Sequence, residues 1–306
     1  MVLLRLIRFN NLIIILLTEI IAKYGLIDYF LKTNDLAYRM STSVFILIVA
    51  SSLLIAAAAN IHNDIHDVDI DKINKSRKPI PNGDISIKSA RYLLFVFNIT
   101  GVVLTFLAAH LINDPYVAIF QLTILAILFA YSNSLKCMKI VGNILVSISI
   151  AMVPVVIWVY VVYDKDAHGL IFNDNIRWMH LSVFFFSLFA FISTLIREIV
   201  KDREDMKADV SCNCYTWAAS VSLKTFKIAV VTLALIMVVI IGIYQNYVPL
   251  SSIYRTAFLF PQLLIIFGLI PMLIKAQERV EFKRVSNFLK IIILSGLIIP
   301  IILLLE

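Results

Sequence analysis

The stretch that decides the fold follows a long apolar segment and reads, from residue 60 to residue 84, Asn60-Ile-His-Asn63-Asp64-Ile-His-Asp67-Val-Asp-Ile-Asp71-Lys-Ile-Asn-Lys-Ser-Arg77-Lys-Pro-Ile-Pro-Asn-Gly-Asp84. Asp64, Asp67 and Asp71 follow the spacing i, i+3, i+7, so on a helix they share one face, which Asn60 extends by one turn. Three carboxylates on one face repel each other unless a cation lies between them. Because hard divalent metals prefer oxygen ligands, this stretch, which we call motif 1, predicts a metal site.

A second acidic stripe, which we call motif 2, repeats this spacing in the other half of the chain. Each of its residues lies 138 positions after its counterpart in motif 1. They are Glu198, Asp202, Asp205 and Asp209, with Arg197, Lys201, Arg203 and Lys207 interleaved. Both stripes end an apolar segment and mix acids with bases. Together they predict a two-sided metal cage for a polyphosphate.

The composition is that of an integral membrane protein. The 306 residues are 61% hydrophobic and 15% charged, with a mean hydropathy of +0.93, whereas soluble domains carry roughly 25% charged residues. The net charge of +7 is the excess that cytoplasmic loops of such proteins normally carry. It does not indicate a nucleic-acid partner, and no protein partner is evident.

The apolar pattern predicts an all-α, polytopic bundle of about nine transmembrane helices, although eight or ten spans also fit. We expect a single integral-membrane domain over residues 1–306, made of two pseudo-repeated halves that carry the acidic motifs at 60–71 and 198–209. The nine segments run roughly over 11–31, 43–63, 90–112, 116–135, 141–163, 179–200, 225–244, 256–275 and 288–305.

Lys and Arg residues are concentrated in alternate loops. If the N-terminus is cytoplasmic, the loops on that side hold 21 of the 27, the opposite side holds five, and Lys23 lies inside the first segment. Because positive charge marks the cytoplasmic side, we predict a multi-pass protein of the cell (inner) membrane. Its N-terminus and both motifs then face the cytoplasm, where diphosphate substrates and magnesium are found.

Two polar pairs have both a structural and a functional interpretation. Tyr131 and Lys136 close the fourth segment, either as an interfacial aromatic beside a snorkelling lysine or as a group near the reacting carbon and a diphosphate ligand. Glu19 and Lys23, at i and i+4 in the first segment, either neutralise each other or belong to a site.

Cysteine and histidine give no zinc signature. Cys137, Cys212 and Cys214 are odd in number and lack framework spacing, so we expect reduced thiols near the cytoplasmic face. His62 and His66 adjoin motif 1, but an oxygen-rich cluster that faces phosphate favours magnesium over zinc. We expect both histidines to be interfacial side chains.

These motifs resemble those of the UbiA superfamily of intramembrane prenyltransferases. Motif 1 with its continuation matches the first aspartate-rich motif of that family, and motif 2 matches the second. The Tyr131–Lys136 signature and the asparagines that follow Arg8 also fit the family. The resemblance covers essentially the whole chain, and the loops after both motifs are most similar to the branch of geranylgeranylglycerol-phosphate geranylgeranyltransferases. Two departures are Ala208, where the family usually has Gly, and the segment around Cys212–Cys214.

The residues and the resemblance together imply three sets of site residues and Mg²⁺ as the cofactor. The catalytic set is Asp64, Asp67, Asp202, Asp205, Lys136 and Tyr131. The substrate-binding set is Asn11, Asn60, Asn63, Arg77, Arg197 and Lys201. The metal ligands are Asp64, Asp67, Asp71, Asp202, Asp205 and Asp209.

The predicted activity is Mg-dependent transfer of a prenyl group from a prenyl diphosphate to a lipophilic acceptor in the membrane, with geranylgeranylglyceryl phosphate as the first choice of acceptor. Prenylation of an aromatic quinone precursor is the alternative within the family. An ion or proton transporter is the alternative of another class, but acids on a transport pathway lie at mid-span. A membrane phosphotransferase also uses acidic motifs, but it expects Gly where Val68 follows Asp67. A non-catalytic scaffold leaves two matching acidic stripes unexplained.

Overall fold

A computed structural model describes residues 1–73, 78–167 and 174–305, and this part of the chain contains helices and loops but no strand. The α-helices are α1 Val2–Leu6, α2 Phe9–Ile20, α3 Asp28–Thr33, α4 Thr42–His66, α5 Val68–Ile73, α6 Ile87–Leu111, α7 Ala118–Ala130, α8 Val141–Val162, α9 Arg177–Ser211, α10 Trp217–Ser220, α11 Leu223–Tyr247, α12 Ser252–Ala257, α13 Leu259–Leu263, α14 Ile270–Lys275 and α15 Arg279–Ile298. Short π-helical segments at Ile21–Ile27, Tyr131–Leu135 and Leu264–Leu269 continue three of these helices.

Within the described residues, eight helical runs are long and apolar enough to cross a membrane. They are Thr42–His66, Ile87–Leu111, Pro115–Leu135, Val141–Val162, Arg177–Ser211, Leu223–Tyr247, Ser252–Lys275 and Arg279–Leu304. They coincide with eight of the nine segments predicted from sequence. The predicted all-α, polytopic architecture is therefore confirmed.

The first predicted segment, 11–31, is helical but is not among these eight runs. It lies in α2, the π-helical segment and α3. One interpretation of the sequence paired Lys23 with Glu19. The structure instead places the Lys23 ammonium 2.7 Å from Asp28 Oδ2. The reason is local geometry: in a π-helix the residue at i+5, not i+4, lies one turn away.

Polar caps fix where several spans begin. The hydroxyls of Ser41, Ser86, Ser222 and Ser251 accept hydrogen bonds from the backbone N–H three residues later, at the starts of α4, α6, α11 and α12. At the start of α15, Glu278 and Glu281 form a reciprocal capping box. These bonds satisfy N–H groups that the first helical turn leaves unpaired, so each span starts at a defined residue.

By internal packing the chain divides into two compact units. Unit 1 comprises Met1–Leu135 and Met152–Val183, and unit 2 comprises Lys136–Ala151 and Phe184–Glu306. Motif 1 therefore lies in unit 1 and motif 2 in unit 2. The prediction of one domain over 1–306 stays a prediction.

In unit 1, helices α4 and α6 pack closely where Gly101 faces Ile55. A Cβ at Gly101 would lie 3.1 Å from Ile55 Cγ1, so a larger residue at this position would require Ile55 to shift. A buried polar chain lies in the same unit. The Tyr160 hydroxyl donates to Gln121 Oε1 at 2.8 Å, and Gln121 Nε2 donates to Ser51 Oγ at 2.7 Å.

We expect Tyr160→Phe to lower the free energy of unfolding by about 1 kcal/mol, because Gln121 Oε1 loses its donor in an apolar interior. Thermal or SDS unfolding of the detergent-solubilised protein measures this change. Tyr163→Phe is the matched control, since Tyr163 is exposed. Equal stability of the two variants would contradict the structural role of this chain.

In unit 2, a buried aromatic cluster occupies the interior. The rings of Phe185 and Tyr244 stack at 3.9 Å, and Phe258 meets both rings edge-on. Phe189 is also buried and lies against Gly296, where a Cβ would come within 2.3 Å of its ring. Phe184, in contrast, is exposed. The sequence could not separate the inward from the outward phenylalanines of this run.

Candidate active site

Motif 1 gathers three buried carboxylates around one lysine. Asp64 lies on the last turn of α4, Asp67 follows that helix and Asp71 lies on α5, and these residues are 1%, 5% and 7% exposed. Lys78 Nζ lies 2.9 Å from Asp64 Oδ1, 2.8 Å from Asp71 Oδ2 and 3.9 Å from Asp67 Oδ2. Burial raises the pKa of Asp71, and the nearby ammonium of Lys78 partly offsets that rise. The predicted common face of the three aspartates is therefore real.

Arg8 provides a second cation for Asp64. Its guanidinium Nη2 donates to Asp64 Oδ1 at 2.7 Å, and its backbone has φ of 52°, in the left-handed region that side chains rarely adopt. Asn60 Nδ2 donates to the carbonyl oxygen of Ile7 at 3.0 Å. Asn60, predicted as a substrate ligand, thus holds the backbone immediately before Arg8. Through this contact it supports Arg8, and its role as a substrate ligand stays a prediction.

We expect Asn60→Ala to lower the transfer rate by about tenfold, because the Ile7 carbonyl loses the hydrogen bond that holds the backbone before Arg8 and so positions Arg8 against Asp64. The measurement is steady-state prenyl transfer, together with thermal unfolding to show that the fold is retained. Asn82→Ala, at an exposed loop position, is the control. Unchanged transfer by Asn60→Ala would show that Arg8 does not need this support.

In the Asn63 amide, Nδ2 makes a hydrogen bond within the described part of the chain and Oδ1 makes none. Its Nδ2 donates to Asp67 Oδ2 at 2.6 Å. Its Oδ1 is buried and accepts no hydrogen bond from the described part of the chain. A buried amide oxygen beside two carboxylates is a ready ligand for a cation or an acceptor for a substrate donor.

Motif 2 lies on the last turns of α9, where Glu198, Asp202 and Asp205 have nitrogen partners. Asp202 Oδ2 accepts from Asn143 Nδ2 at 2.9 Å. Glu198 accepts from the guanidinium of Arg197 at 2.5 Å. Two contacts are longer: Lys201 Nζ lies 3.8 Å from Glu198 Oε2, and Arg279 Nη2 lies 3.6 Å from Asp205 Oδ1. Asp209, one turn further, is buried.

A disulfide bond joins the segments that flank this stripe. Cys137 bonds to Cys214 across 77 residues, and Cys212 stays free. The prediction of three reduced thiols was therefore wrong. The sequence lacked the information, because this pairing depends on the tertiary fold that brings the start of unit 2 next to the segment after α9. The segment is also tied by Arg203, whose guanidinium donates to the carbonyl oxygen of Ala218 at 2.7 Å.

The carboxylates of motif 1 fit a hard divalent cation. Among the described residues, no three Asp, Glu, His or Cys side chains lie close enough together to hold a metal ion as they stand. In motif 1 the ammonium of Lys78 lies between Asp64 and Asp71. Three buried carboxylates that converge on one positive charge, with the unused Asn63 Oδ1 beside them, form a donor set that Mg²⁺ prefers. The residues present are thus compatible with the predicted cofactor.

Comparison with known families gives a match to the model of the UbiA prenyltransferase family over residues 33–289. The chain belongs to the UbiA prenyltransferase family. The digeranylgeranylglyceryl phosphate synthase of Saccharolobus solfataricus is 33% identical over 250 residues, which cover 80% of this chain and 79% of that protein. The UbiA membership predicted from the two motifs is therefore confirmed.

Solved structures of the family share the fold. A structure of digeranylgeranylglyceryl phosphate synthase matches with a TM-score of 0.68 and 24% identity, covering 98% of this chain and 96% of that one. A UbiA homologue from Archaeoglobus fulgidus, bound to GPP and Mg²⁺, matches with a TM-score of 0.60 and 15% identity, covering 98% and 99%. This UbiA protein is thus a multi-pass membrane enzyme that transfers a prenyl group to a lipophilic acceptor.

The remaining predicted site residues of this UbiA protein lie in different settings. Tyr131, on the π-helical segment that ends α7, interacts electrostatically with the Arg8 guanidinium. Lys136 is half-buried at the start of unit 2. Asn11 is exposed on α2, one turn after Arg8. Arg77 lies outside the described residues.

The two histidines beside motif 1 make ring contacts. His62 stacks on Phe129 with ring centroids 5.0 Å apart and meets His66 edge-on.

The site residues that the sequence analysis did not predict are Arg8, Lys78 and Asn143. Their signals were present, since Arg8 precedes the matched asparagines, Lys78 precedes Pro79 and Asn143 opens a span as an isolated amide. None of these signals identified a partner carboxylate.

Proposed function

We propose that this protein transfers a geranylgeranyl group from geranylgeranyl diphosphate to geranylgeranylglyceryl phosphate and depends on Mg²⁺. The observation that carries the proposal is the convergence of Asp64, Asp67 and Asp71 on a single positive charge. The choice of acceptor is supported by relatives, since the curated proteins of Saccharolobus solfataricus and Sulfurisphaera tokodaii, 33% and 32% identical, are both named digeranylgeranylglyceryl phosphate synthase.

The carboxylates of both motifs are the proposed metal ligands: Asp64, Asp67 and Asp71 in motif 1, and Asp202, Asp205 and Asp209 in motif 2. When bound, Mg²⁺ neutralises the diphosphate and stabilises its departure. We further propose that the site faces the cytoplasm of the cell membrane, as the distribution of Lys and Arg predicts.

Basic residues take up the remaining charge of the diphosphate as it leaves. Arg197 and Lys201 lie beside Glu198 in motif 2, and Lys136 and Arg77 are the further cations predicted for this role. Tyr131, near Arg8, is the proposed group next to the reacting carbon. Guanidinium and ammonium groups suit this role because their hydrogen bonds to phosphate oxygens strengthen as negative charge develops.

The reaction exchanges one C–O bond for another. The bond from C1 of the geranylgeranyl group to the diphosphate breaks, and an ether bond forms to the acceptor hydroxyl oxygen. The hydroxyl proton leaves to the released diphosphate or to a carboxylate of the motifs. Apolar helices around the prenyl chain exclude water that would otherwise capture the allylic cation.

The test is product formation by the purified protein in lipid nanodiscs. Geranylgeranyl diphosphate and Mg²⁺ are supplied with either geranylgeranylglyceryl phosphate or 4-hydroxybenzoate, and products are identified by mass spectrometry. We expect transfer to the glyceryl phosphate and its loss in EDTA. Transfer to the aromatic acid alone overturns the proposed acceptor, and equal transfer in EDTA overturns the metal dependence.

A further inference from the structure

Lys78 is placed differently from Lys72, the other lysine of motif 1 that the structure describes. Its ammonium contacts Asp64 and Asp71 at 2.9 and 2.8 Å, and its side chain is 27% exposed. Lys72, on the same stretch, contacts Asp69 at 3.2 Å, and both of those side chains are mostly exposed. Lys78 is thus the lysine of this stretch that lies among buried carboxylates in the described part of the chain.

An ammonium and a metal ion compete for these oxygens. A carboxylate oxygen that holds an ammonium at 2.8 Å presents the same lone pairs that a metal needs at shorter range. Arg8 pairs with Asp64, but one guanidinium does not balance three buried carboxylates, which repel each other and are poorly hydrated. Motif 1 therefore needs a further positive charge, and Lys78 and Mg²⁺ are alternative ways to supply it.

The chain after Lys78 is anchored, so the exchange requires only a side-chain movement. Ile80 is buried in a cluster with Leu6, Ile61 and Ala90. The backbone N–H of Asp84 donates to the carbonyl oxygen of Pro79 at 2.9 Å, and the Asp84 carboxylate pairs with Arg5 at 3.0 Å. The flexible four-carbon stem of a lysine can swing its ammonium away while this backbone stays in place.

We propose that Lys78 is a tethered cation that competes with Mg²⁺ for Asp64 and Asp71, so that motif 1 loads metal and diphosphate together. Metal alone must displace the ammonium into solvent. When the diphosphate arrives with the metal, the displaced ammonium gains an anionic partner. Lys78 thereby couples the two binding events. This inference rests on the proposed function, because it takes motif 1 as the metal site.

The test measures metal binding and stability without any transfer. Mn²⁺ affinity is determined by EPR on the full-length protein in nanodiscs for wild type, Lys78→Met and the control Lys72→Met. We expect Lys78→Met to bind Mn²⁺ on the order of tenfold more tightly than wild type, since the competitor is gone. We also expect its melting temperature in EDTA to fall and to recover with Mg²⁺. Lys72→Met should match wild type in both.

A second measurement addresses the coupling. The unreactive analogue geranylgeranyl thiodiphosphate is expected to tighten Mn²⁺ binding to wild type more than to Lys78→Met, by a factor of about ten. Lys78→Arg keeps the charge, and it should bind Mn²⁺ no more tightly than wild type.

Equal or weaker Mn²⁺ binding by Lys78→Met, or an unchanged coupling factor, overturns the inference. A failure of the proposed function would give a different result. In that case wild type makes no geranylgeranylated product in Mg²⁺, whatever the Mn²⁺ affinities of the Lys78 variants.

Discussion

Asp64→Asn is expected to lower the rate of prenyl transfer by about 10³-fold. Asp64 is the most buried carboxylate of motif 1 and is contacted by both Arg8 and Lys78. Asparagine preserves the size of the side chain but removes the negative charge and one acceptor oxygen. Two cations then lie next to a neutral amide, and the oxygen that motif 1 offers to a metal is lost.

Steady-state transfer and Mn²⁺ affinity measure this effect, with Asp69→Asn as the control. Asp69 lies between Asp67 and Asp71 in sequence but off their common face, and it is exposed. Asp69→Asn is expected to stay within threefold of the wild-type rate. Similar losses in both variants would indicate a general effect of charge on this stretch and would refute a specific role for the stripe.

Asp202→Asn is expected to lower transfer by a similar factor, about 10³-fold. Asp202 Oδ2 is oriented by the amide of Asn143, an interaction that a charged acceptor strengthens. In the variant, an amide faces an amide, so the side chain can still be held but supplies no charge. The effect on unfolding should therefore be small compared with the effect on activity.

Glu204→Gln is the matched control for Asp202→Asn. Glu204 lies on the same helix but outside the i, i+3, i+7 stripe. It is expected to retain at least a third of the wild-type rate, with an unchanged melting temperature. If Asp202→Asn retains activity at the level of Glu204→Gln, motif 2 takes no part in the reaction and motif 1 must act without it.

The sequence predicted the elements that depend on periodicity and composition. The spacing of Asp64, Asp67 and Asp71 predicted one common face, as observed, because α5 follows α4 after Asp67 alone and the N–H groups of Asp67 and Asp71 each donate to the carbonyl oxygen four residues earlier. Hydropathy predicted nine spans, and eight of them coincide with helical runs of the described residues that are long and apolar enough to cross a membrane. Both signals come from local sequence and do not depend on tertiary packing.

Contacts between distant or irregular segments could not be predicted in this way. The partner of Asn60 is a backbone carbonyl 53 residues earlier, and Cys137 pairs 77 residues later. Lys23 pairs with Asp28 and not with Glu19, because a π-helical segment changes which residues lie one turn apart. The contact of Lys78 with Asp64 and Asp71 depends on how the chain runs before Pro79, which residue type alone does not determine.

The most direct test of the account is diphosphate release from geranylgeranyl diphosphate, measured as a function of Mg²⁺ concentration. It compares wild type with the Asp64→Asn/Asp202→Asn double variant in nanodiscs, with geranylgeranylglyceryl phosphate present. We predict that release by wild type rises with Mg²⁺ and is absent in EDTA, and that the double variant stays at the rate of empty nanodiscs. Release that is independent of Mg²⁺, or that persists at the wild-type rate in the double variant, would contradict the assignment of the two acidic motifs.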